Sequence, residues 1–250
     1  MKQDYYLRPS NYFLEDDGKV LFKNIDIINK NKENELEVKD TLHFDIYKNI
    51  KNKNTYFSRY DKLHARLKKI FKPKTPLQLS KINKPVIMGI VNVTMDSFFD
   101  GSKYFKHKNA IKHAENLLKE GADIIDVGGE STRPGSLPVN VNEEIRRVKP
   151  VIKELVKNNI IISCDTRNSL TMKVALDLGA TIINDVSGLN YDKETPKILN
   201  KYDCLYILMH SKGTPATMQN NPIYNNVACD IYSFFKQKLL YLKNMNISES

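Results

Sequence analysis

Five short apolar runs in this sequence each end in side chains that can bind a cation, an anion or a hydrogen-bonding ligand. Carboxylates and amides accept hydrogen bonds and bind hard cations through oxygen, and arginine binds phosphate groups. One such cluster could be a turn or a helix cap, but five in succession indicate a binding site. In chain order they are Asn92, Asp96 and Asp100; Asp126, Glu130, Ser131, Thr132 and Arg133; Asp165, Thr166 and Arg167; Asn184 and Asp185; and His210.

The apolar runs alternate with amphipathic patterns of helical period. The predicted strands and the helices that follow them are 86–93 and 108–120, 124–127 and 142–157, 160–164 and 169–178, 181–183 and 193–201, and 205–209 and 226–243. Regular alternation of strand and helix predicts a parallel sheet with helical crossovers.

We predict an α/β fold of the (β/α)₈ TIM-barrel type, with about five strand–helix units present. In such barrels the carboxyl ends of the strands converge on the cavity that carries the chemistry. An open doubly wound sheet also binds ligands at its carboxyl ends. The barrel is preferred because the sequence has no GxGxxG motif and Gly128-Gly129 is followed by Glu130.

Five segments together identify a family resemblance. They read IMGIVNVTMDSF, IIDVGGESTRPGS, SCDT, IINDVSGL and LMHSKGTPATMQ. In this order and spacing, from Pro85 to Ser250, they resemble dihydropteroate synthase, a (β/α)₈ enzyme of folate biosynthesis. The NVT and DSF runs of the first segment alone would also suit other pterin-binding barrels, such as methyltetrahydrofolate-dependent methyltransferases, which remain the alternative. The STRPG run after GGE favours the synthase.

The resemblance implies a transferase reaction. 7,8-Dihydropterin-CH₂-pyrophosphate and p-aminobenzoate would give 7,8-dihydropteroate and pyrophosphate. Asp165 and Asn184 match the family's pterin-binding positions, and Met209 would pack on the pterin face. From the residues alone, Asp165 could instead cap a helix, Asn184 could form an Asx turn, and Met209 could be a core residue.

The remaining site residues also come from the resemblance. A departing pyrophosphate needs a hard cation and fixed donors to neutralise its charge. The resemblance implies Mg²⁺ as the cofactor, bound by Asn92. It implies pyrophosphate contacts from Thr132 and Arg133, a p-aminobenzoate pocket with Phe98 and Pro134, and catalytic roles for Arg133 and for Asp100, which would stabilise positive charge at the methylene carbon.

The sequence departs from the family pattern in two respects. The first loop has Met95, Phe99 and Ser102 where the family usually has proline, serine and glycine. Phe99 would place a bulky ring beside the p-aminobenzoate site, and the sequence leaves sulfonamide sensitivity open. The family's later DPGxGFGK and SRK-type segments and its final arginine–histidine pair are not found. We therefore expect little or no turnover from this chain by itself, and a non-catalytic fragment remains a further alternative.

Residues 1–84 differ in composition from the rest. They contain 19 Lys and Arg against 11 Asp and Glu, whereas residues 85–250 contain 20 against 18. We predict an α+β extension over residues 1–84 with strands at 20–28 and 41–47, a helix at 56–71 and a basic linker, followed by the barrel domain at 85–250. The basic stretch 48–84 is interpreted as a solvated helix face, so nucleic-acid binding is not expected.

The composition, 41% hydrophobic and 27% charged, is typical of a globular domain. The sequence has no apolar run of membrane-spanning length and no signal peptide at its start, so we expect no membrane partner. Cys164, Cys204 and Cys229 lack metal-site spacing and are interpreted as reduced thiols in the cytoplasm. The expected partners are the two small-molecule substrates, and the sequence leaves a homodimer open.

Overall fold

A computed structural model describes residues 5–14, 20–31, 35–43, 85–94, 103–131, 138–213, 217 and 221–247. The chain divides into two compact units, Met1–Lys74 and Thr75–Ser250. The residues around this division lie outside the described ranges, as does the predicted helix at 56–71. The domain boundary predicted after residue 84 therefore stays a prediction.

The described part of the first unit is an antiparallel sheet of three strands in the order β1-β2-β3. The strands are β1 (Tyr6–Leu14), β2 (Val20–Lys30) and β3 (Leu36–His43). The prediction found β2, placed the third strand about five residues too late, and missed β1. Polar residues and a proline in the centre of β1 interrupt the apolar pattern on which strand prediction depends.

The second unit contains five strands, each followed by a helix. They are β4 (Met88–Asn92), α1 (Lys103–Lys119), β5 (Ile124–Gly128), α2 (Val141–Val156), β6 (Ile161–Asp165), α3 (Ser169–Asp177), β7 (Ile182–Asp185), α4 (Thr195–Lys201), β8 (Leu205–Leu208) and α5 (Val227–Asn244). The strands form one parallel sheet in the order β4-β5-β6-β7-β8. The predicted series of strand–helix pairs is confirmed; the largest error is at α1, which begins five residues before its predicted start.

The side chains of this sheet alternate between two environments. Val91, Val127, Cys164 and Ile183 lie opposite one another on neighbouring strands and are fully buried in the same apolar core as the helices. Because successive side chains point to opposite faces of a strand, the residues that follow these four face away from the helices. The helix-facing core thus fixes which strand-end side chains are available to a ligand.

Within the described part of the chain, β4 and β8 each have a paired strand on one side only. Ile90 of β4 and Ile207 of β8 are accordingly exposed on the face opposite the helices. None of the helices described here combines the length and apolar character needed to cross a bilayer.

Candidate active site

Four neighbouring strands each place one residue in a row at the carboxyl edge of the sheet. Asn92 of β4 lies opposite Gly128 of β5. Asp165 of β6 lies opposite Gly128 on the other side, and also opposite Asn184 of β7. We call these four residues the strand-end row. Parallel register puts all four on the face that points away from the helices.

Gly128 leaves an open space between two oxygen-bearing side chains of the strand-end row. A methyl group on Gly128 would lie 3.3 Å from Asn92 Oδ1 and 3.5 Å from Asp165 Oδ2. Both oxygens therefore border the volume above the glycine Cα atom. A larger residue would fill this volume, so glycine keeps it accessible to a ligand.

A second acidic residue lies one layer below the row. Asp126 precedes Gly128 by two residues on β5, faces the same side and is only 3% exposed. Its Oδ2 accepts a hydrogen bond of 3.1 Å from Nδ2 of Asn184. Among the described residues, Asp126 Oδ1 and the hydroxyl of the neighbouring Ser163 have no hydrogen-bond partner of normal geometry. The sequence places Asp126 among the polar residues at the strand ends but assigns it no role in the site, although strand alternation from Gly128 could have put it on the same face.

Burial raises the pKa values of two aspartates at the site, Asp165 and Asp126. Burial raises the pKa of Asp165 to about 8, and the charges of Asp126, Glu144, Asp185 and Glu130 add to this effect in that order. Burial also raises the pKa of Asp126, while the hydrogen bond from Asn184 partly offsets this effect. A concentration of acceptors of this kind favours a ligand that brings hydrogen-bond donors or a cation.

Glu144 of α2 holds the turn that follows Asp165. This carboxylate is fully buried. It accepts hydrogen bonds from Thr166 Oγ1 (2.8 Å), Asn168 Nδ2 (2.8 Å) and Thr171 Oγ1 (2.5 Å). The backbone N–H of Thr166 also donates to the carbonyl of Asn184 at 3.0 Å. Glu144 thus fixes the turn after β6, and the backbone hydrogen bond between Thr166 and Asn184 ties that turn to the end of β7.

An ion pair links the segments that follow β5 and β6. Arg167 donates from Nε and from a terminal nitrogen to the two oxygens of Glu130, at 3.0 and 2.8 Å. Glu130 also accepts from the backbone N–H of Val139 at 3.1 Å. The guanidinium carbon of Arg167 lies 4.2 Å from the ring centre of Tyr191, after β7. Three strand-end segments are therefore connected through one arginine.

The predicted site residues fall into two groups. Asn92, Asp165 and Asn184 are brought together in the strand-end row. Met209 lies two residues beyond Ile207, which is the register partner of Asn184 on β8. Five predicted residues lie outside the described residues, so their roles stay predictions: Phe98, Asp100, Thr132, Arg133 and Pro134.

His210 packs among aromatic rings beside α5. Its ring lies edge-on to Phe234 with 4.8 Å between ring centres, and 5.8 Å from the ring of Tyr224. This packing gives the residue a structural role.

Two oxygen atoms at the strand-end row bear on the predicted magnesium site. In the ranges described, no three His, Cys, Asp or Glu side chains come together as a metal centre. Asn92 Oδ1 and Asp165 Oδ2 nevertheless border one open space. Hard oxygen donors of this kind fit Mg²⁺, which keeps several waters and commonly takes further ligands from substrate phosphates.

The chain belongs to the pterin binding enzyme family, whose pattern it matches over residues 88–250. The fold and the site define an α/β protein of the (β/α)₈ barrel type, with five strand–helix units described and polar residues at the carboxyl ends of the strands.

Among curated relatives, the chain is 46% identical over 159 residues to the dihydropteroate synthase of Neisseria meningitidis serogroup B. The match covers 63% of this chain and 56% of that relative, so the chain spans little more than half of its length.

Two solved structures are similar to the second unit. The dihydropteroate synthase of Clostridium difficile, determined in the presence of pteroic acid, has a TM-score of 0.61 and 41% identity, covering 67% of this chain and 62% of that one. The enzyme of Xanthomonas albilineans with 4-aminobenzoic acid has a TM-score of 0.61 and 37% identity, covering 66% and 59%. The predicted barrel-type fold is confirmed by these similarities.

Proposed function

We propose that this chain functions in dihydropteroate synthesis. In this reaction p-aminobenzoate displaces pyrophosphate from 7,8-dihydropterin-CH₂-pyrophosphate and 7,8-dihydropteroate forms. The observation that carries the proposal is the strand-end row, in which a carboxylate and an amide lie opposite each other beside an open glycine. Similarity to dihydropteroate synthases determined with pteroic acid and with 4-aminobenzoic acid supports the same assignment.

The strand-end row suits the aminopyrimidinone edge of a pterin. That edge presents neighbouring N–H donors and acceptors. Asp165 supplies acceptors, and Asn184 supplies one acceptor and a donor that is not used by Asp126. Since the surrounding carboxylates favour donors in the ligand, the guanidine-like part of the pterin ring would lie against Asp165.

Asn92 is the residue that would hold Mg²⁺, through its side-chain oxygen. When bound, the ion would neutralise charge on the pyrophosphate group. The C–O bond to pyrophosphate breaks with both electrons on oxygen, the amine nitrogen of p-aminobenzoate bonds to the methylene carbon, and the nitrogen then releases a proton. In this proposal Arg133 and Thr132 contact the pyrophosphate, Asp100 stabilises the electron-poor carbon, and Phe98 and Pro134 contact p-aminobenzoate.

Ligand binding by the purified 250-residue chain tests the proposal directly. We expect saturable binding of dihydropterin pyrophosphate in calorimetry, stronger with Mg²⁺ than with EDTA. An Asn92→Ala variant should lose the Mg²⁺ dependence. An Asp177→Asn variant, altered at an exposed helix position, should bind as the wild type does.

Product analysis with p-aminobenzoate extends the test. Any dihydropteroate formed above the level of an Asp165→Asn control supports the synthase. Binding of methyltetrahydrofolate in place of the pterin pyrophosphate would contradict it and favour a methyltransferase.

A cytoplasmic location is also part of the proposal. Cys164 and Cys204 are free thiols, as expected in a reducing compartment. Fractionation of cells that express a tagged chain would test the location, and sedimentation of the purified protein would test for a homodimer.

A further inference from the structure

Asp126 and Asn184 make contact across an intervening strand. They are 58 positions apart in sequence, on β5 and β7, and β6 lies between those strands. Both side chains extend on the face away from the helices, where Nδ2 of Asn184 meets Oδ2 of Asp126 at 3.1 Å. Asp126 is buried, whereas Asn184 is partly exposed in the strand-end row. The amino end of the Asn184 amide is thus hydrogen-bonded to Asp126, and its carbonyl end is left to face a ligand.

The chemistry of the two groups fixes the direction of the amide. An ionised carboxylate only accepts hydrogen bonds, whereas an asparagine has two N–H donors on one side and a carbonyl acceptor on the other. Turning the amide over would bring Oδ1 of Asn184 against the carboxylate oxygen of Asp126. Two acceptor oxygens in contact at a buried carboxylate, with no donor between them, are strongly unfavourable.

We propose that Asp126 is a positioning residue that determines ligand specificity by holding the Asn184 amide with its carbonyl oxygen directed to the bound heterocycle. The inference rests on the proposed function, because it assumes that Asn184 contacts a pterin. It adds a role for a carboxylate that does not itself need to touch the substrate. The site would then select a ligand that offers an amino group at this position over one that offers a carbonyl group.

Two pteridines provide the matched probes. Pterin carries an amino group at ring position 2, and lumazine carries an oxygen there. With the amide fixed, Asn184 Oδ1 can accept from the amino group of pterin but opposes the carbonyl of lumazine. Asp126→Asn removes the constraint, because an asparagine at 126 can donate to Asn184 Oδ1 and allow the amide to turn.

The experiment measures dissociation constants of both pteridines for the full chain and for two variants. We expect the wild type to prefer pterin by about tenfold to a hundredfold. Asp126→Asn should bring the ratio of the two constants to within about threefold of unity. Ser163→Ala, altered at the register partner of Asp126, should keep the wild-type ratio, since it leaves the contact with Asn184 in place.

Each outcome decides a different question. An Asp126→Asn variant that keeps the wild-type preference for pterin overturns the inference and leaves the proposed function standing. A wild type that binds neither pteridine overturns the proposed function together with the inference.

A measurement on the wild-type protein covers the case in which Asp126→Asn does not fold. The side-chain amide signals of Asn184 are identified in a nitrogen-15 spectrum by their loss in Asn184→Asp. Their exchange with solvent should be at least about tenfold slower than that of the exposed Asn158. Exchange as fast as that of Asn158 would show that Asp126 does not hold the amide, and would overturn the inference.

Discussion

Arg167 and Glu130 face each other through two parallel hydrogen bonds, and both side chains are about nine-tenths buried. A fork-shaped guanidinium matches a carboxylate in this geometry. The pair joins the segments after β5 and β6, directly beside the strand-end row. Its contribution to stability is measurable because removal of one partner leaves the other charged and buried.

Arg167→Met should therefore destabilise the fold. We expect the free energy of unfolding to fall by about 3–5 kcal/mol, as is typical when a buried ion pair is broken. Urea unfolding followed by circular dichroism measures it. Lys197→Met is the matched control, because Lys197 and Glu194 form an exposed pair, and should cost less than about 1 kcal/mol. Equal effects of the two variants would contradict a special role for the buried pair.

Stability should also depend on pH through Asp165. Its pKa is raised from an ordinary value of 3.8 to about 8 in the folded chain. The folded state therefore holds a proton that the unfolded state releases, and stability falls as pH rises through this window. Between pH 6.5 and 8 we expect a loss on the order of 1 kcal/mol.

Asp165→Asn should flatten this pH dependence, measured by urea unfolding at each pH. The range begins at pH 6.5 because His107, whose pKa is lowered, acts in the opposite direction below its ordinary value. A wild type that becomes more stable between pH 6.5 and 8 would contradict the raised pKa of Asp165.

Asp165→Asn should also weaken pterin binding. An amide at 165 replaces one acceptor oxygen with a donor, so a ligand N–H group loses its partner. We expect the dissociation constant for pterin to rise by about tenfold to a hundredfold. Calorimetry near pH 8.5, where Asp165 of the wild type is mostly ionised, gives the clearest comparison. Unchanged affinity would remove Asp165 from the site.

Gly128→Ala tests the open space between Asn92 and Asp165. The added methyl group would lie 3.3 Å and 3.5 Å from their oxygens, so the variant should fold but bind pterin pyrophosphate at least about tenfold more weakly. Gly121→Ala is the control. Gly121 has φ +108° with open space around it, so alanine there should cost about 1 kcal/mol of stability without changing affinity. Wild-type affinity in Gly128→Ala would place the ligand elsewhere.

Glu144→Ala should destabilise the chain by leaving two threonine hydroxyls and one amide without their shared acceptor. We expect a loss of about 3 kcal/mol or more in thermal or urea unfolding. Glu144→Gln keeps the size of the side chain and one acceptor, and the threonine hydroxyls can rotate to meet its amide. It should recover at least half of that loss, and a glutamine variant as unstable as the alanine variant would argue against this hydrogen-bonded arrangement.

Much of the second unit was predictable because each strand and helix is specified by the pattern of residues within its own short segment. Alternation of apolar runs with helical patterns identified the strand–helix pairs, and polar residues at the strand ends identified Asn92, Asp165 and Asn184. Strand β1 was missed because Pro9, Ser10 and Asn11 break its apolar pattern, although pairing with β2 compensates for this in the folded chain. The apolar pattern within one segment does not show which other strand that segment pairs with.

The sequence by itself determined the order of strands and helices in the second unit, the polar character of the strand ends, and the motifs of the pterin-binding family. Only the tertiary structure decided that Asp126 contacts Asn184, that Glu144 holds the turn after Asp165, and that Arg167 pairs with Glu130. These partners are 58, 22 and 37 positions apart. Their meeting depends on the register of parallel strands and on how the helices pack against them. Register follows from the burial of whole faces of the sheet, a property that no single segment of the sequence carries.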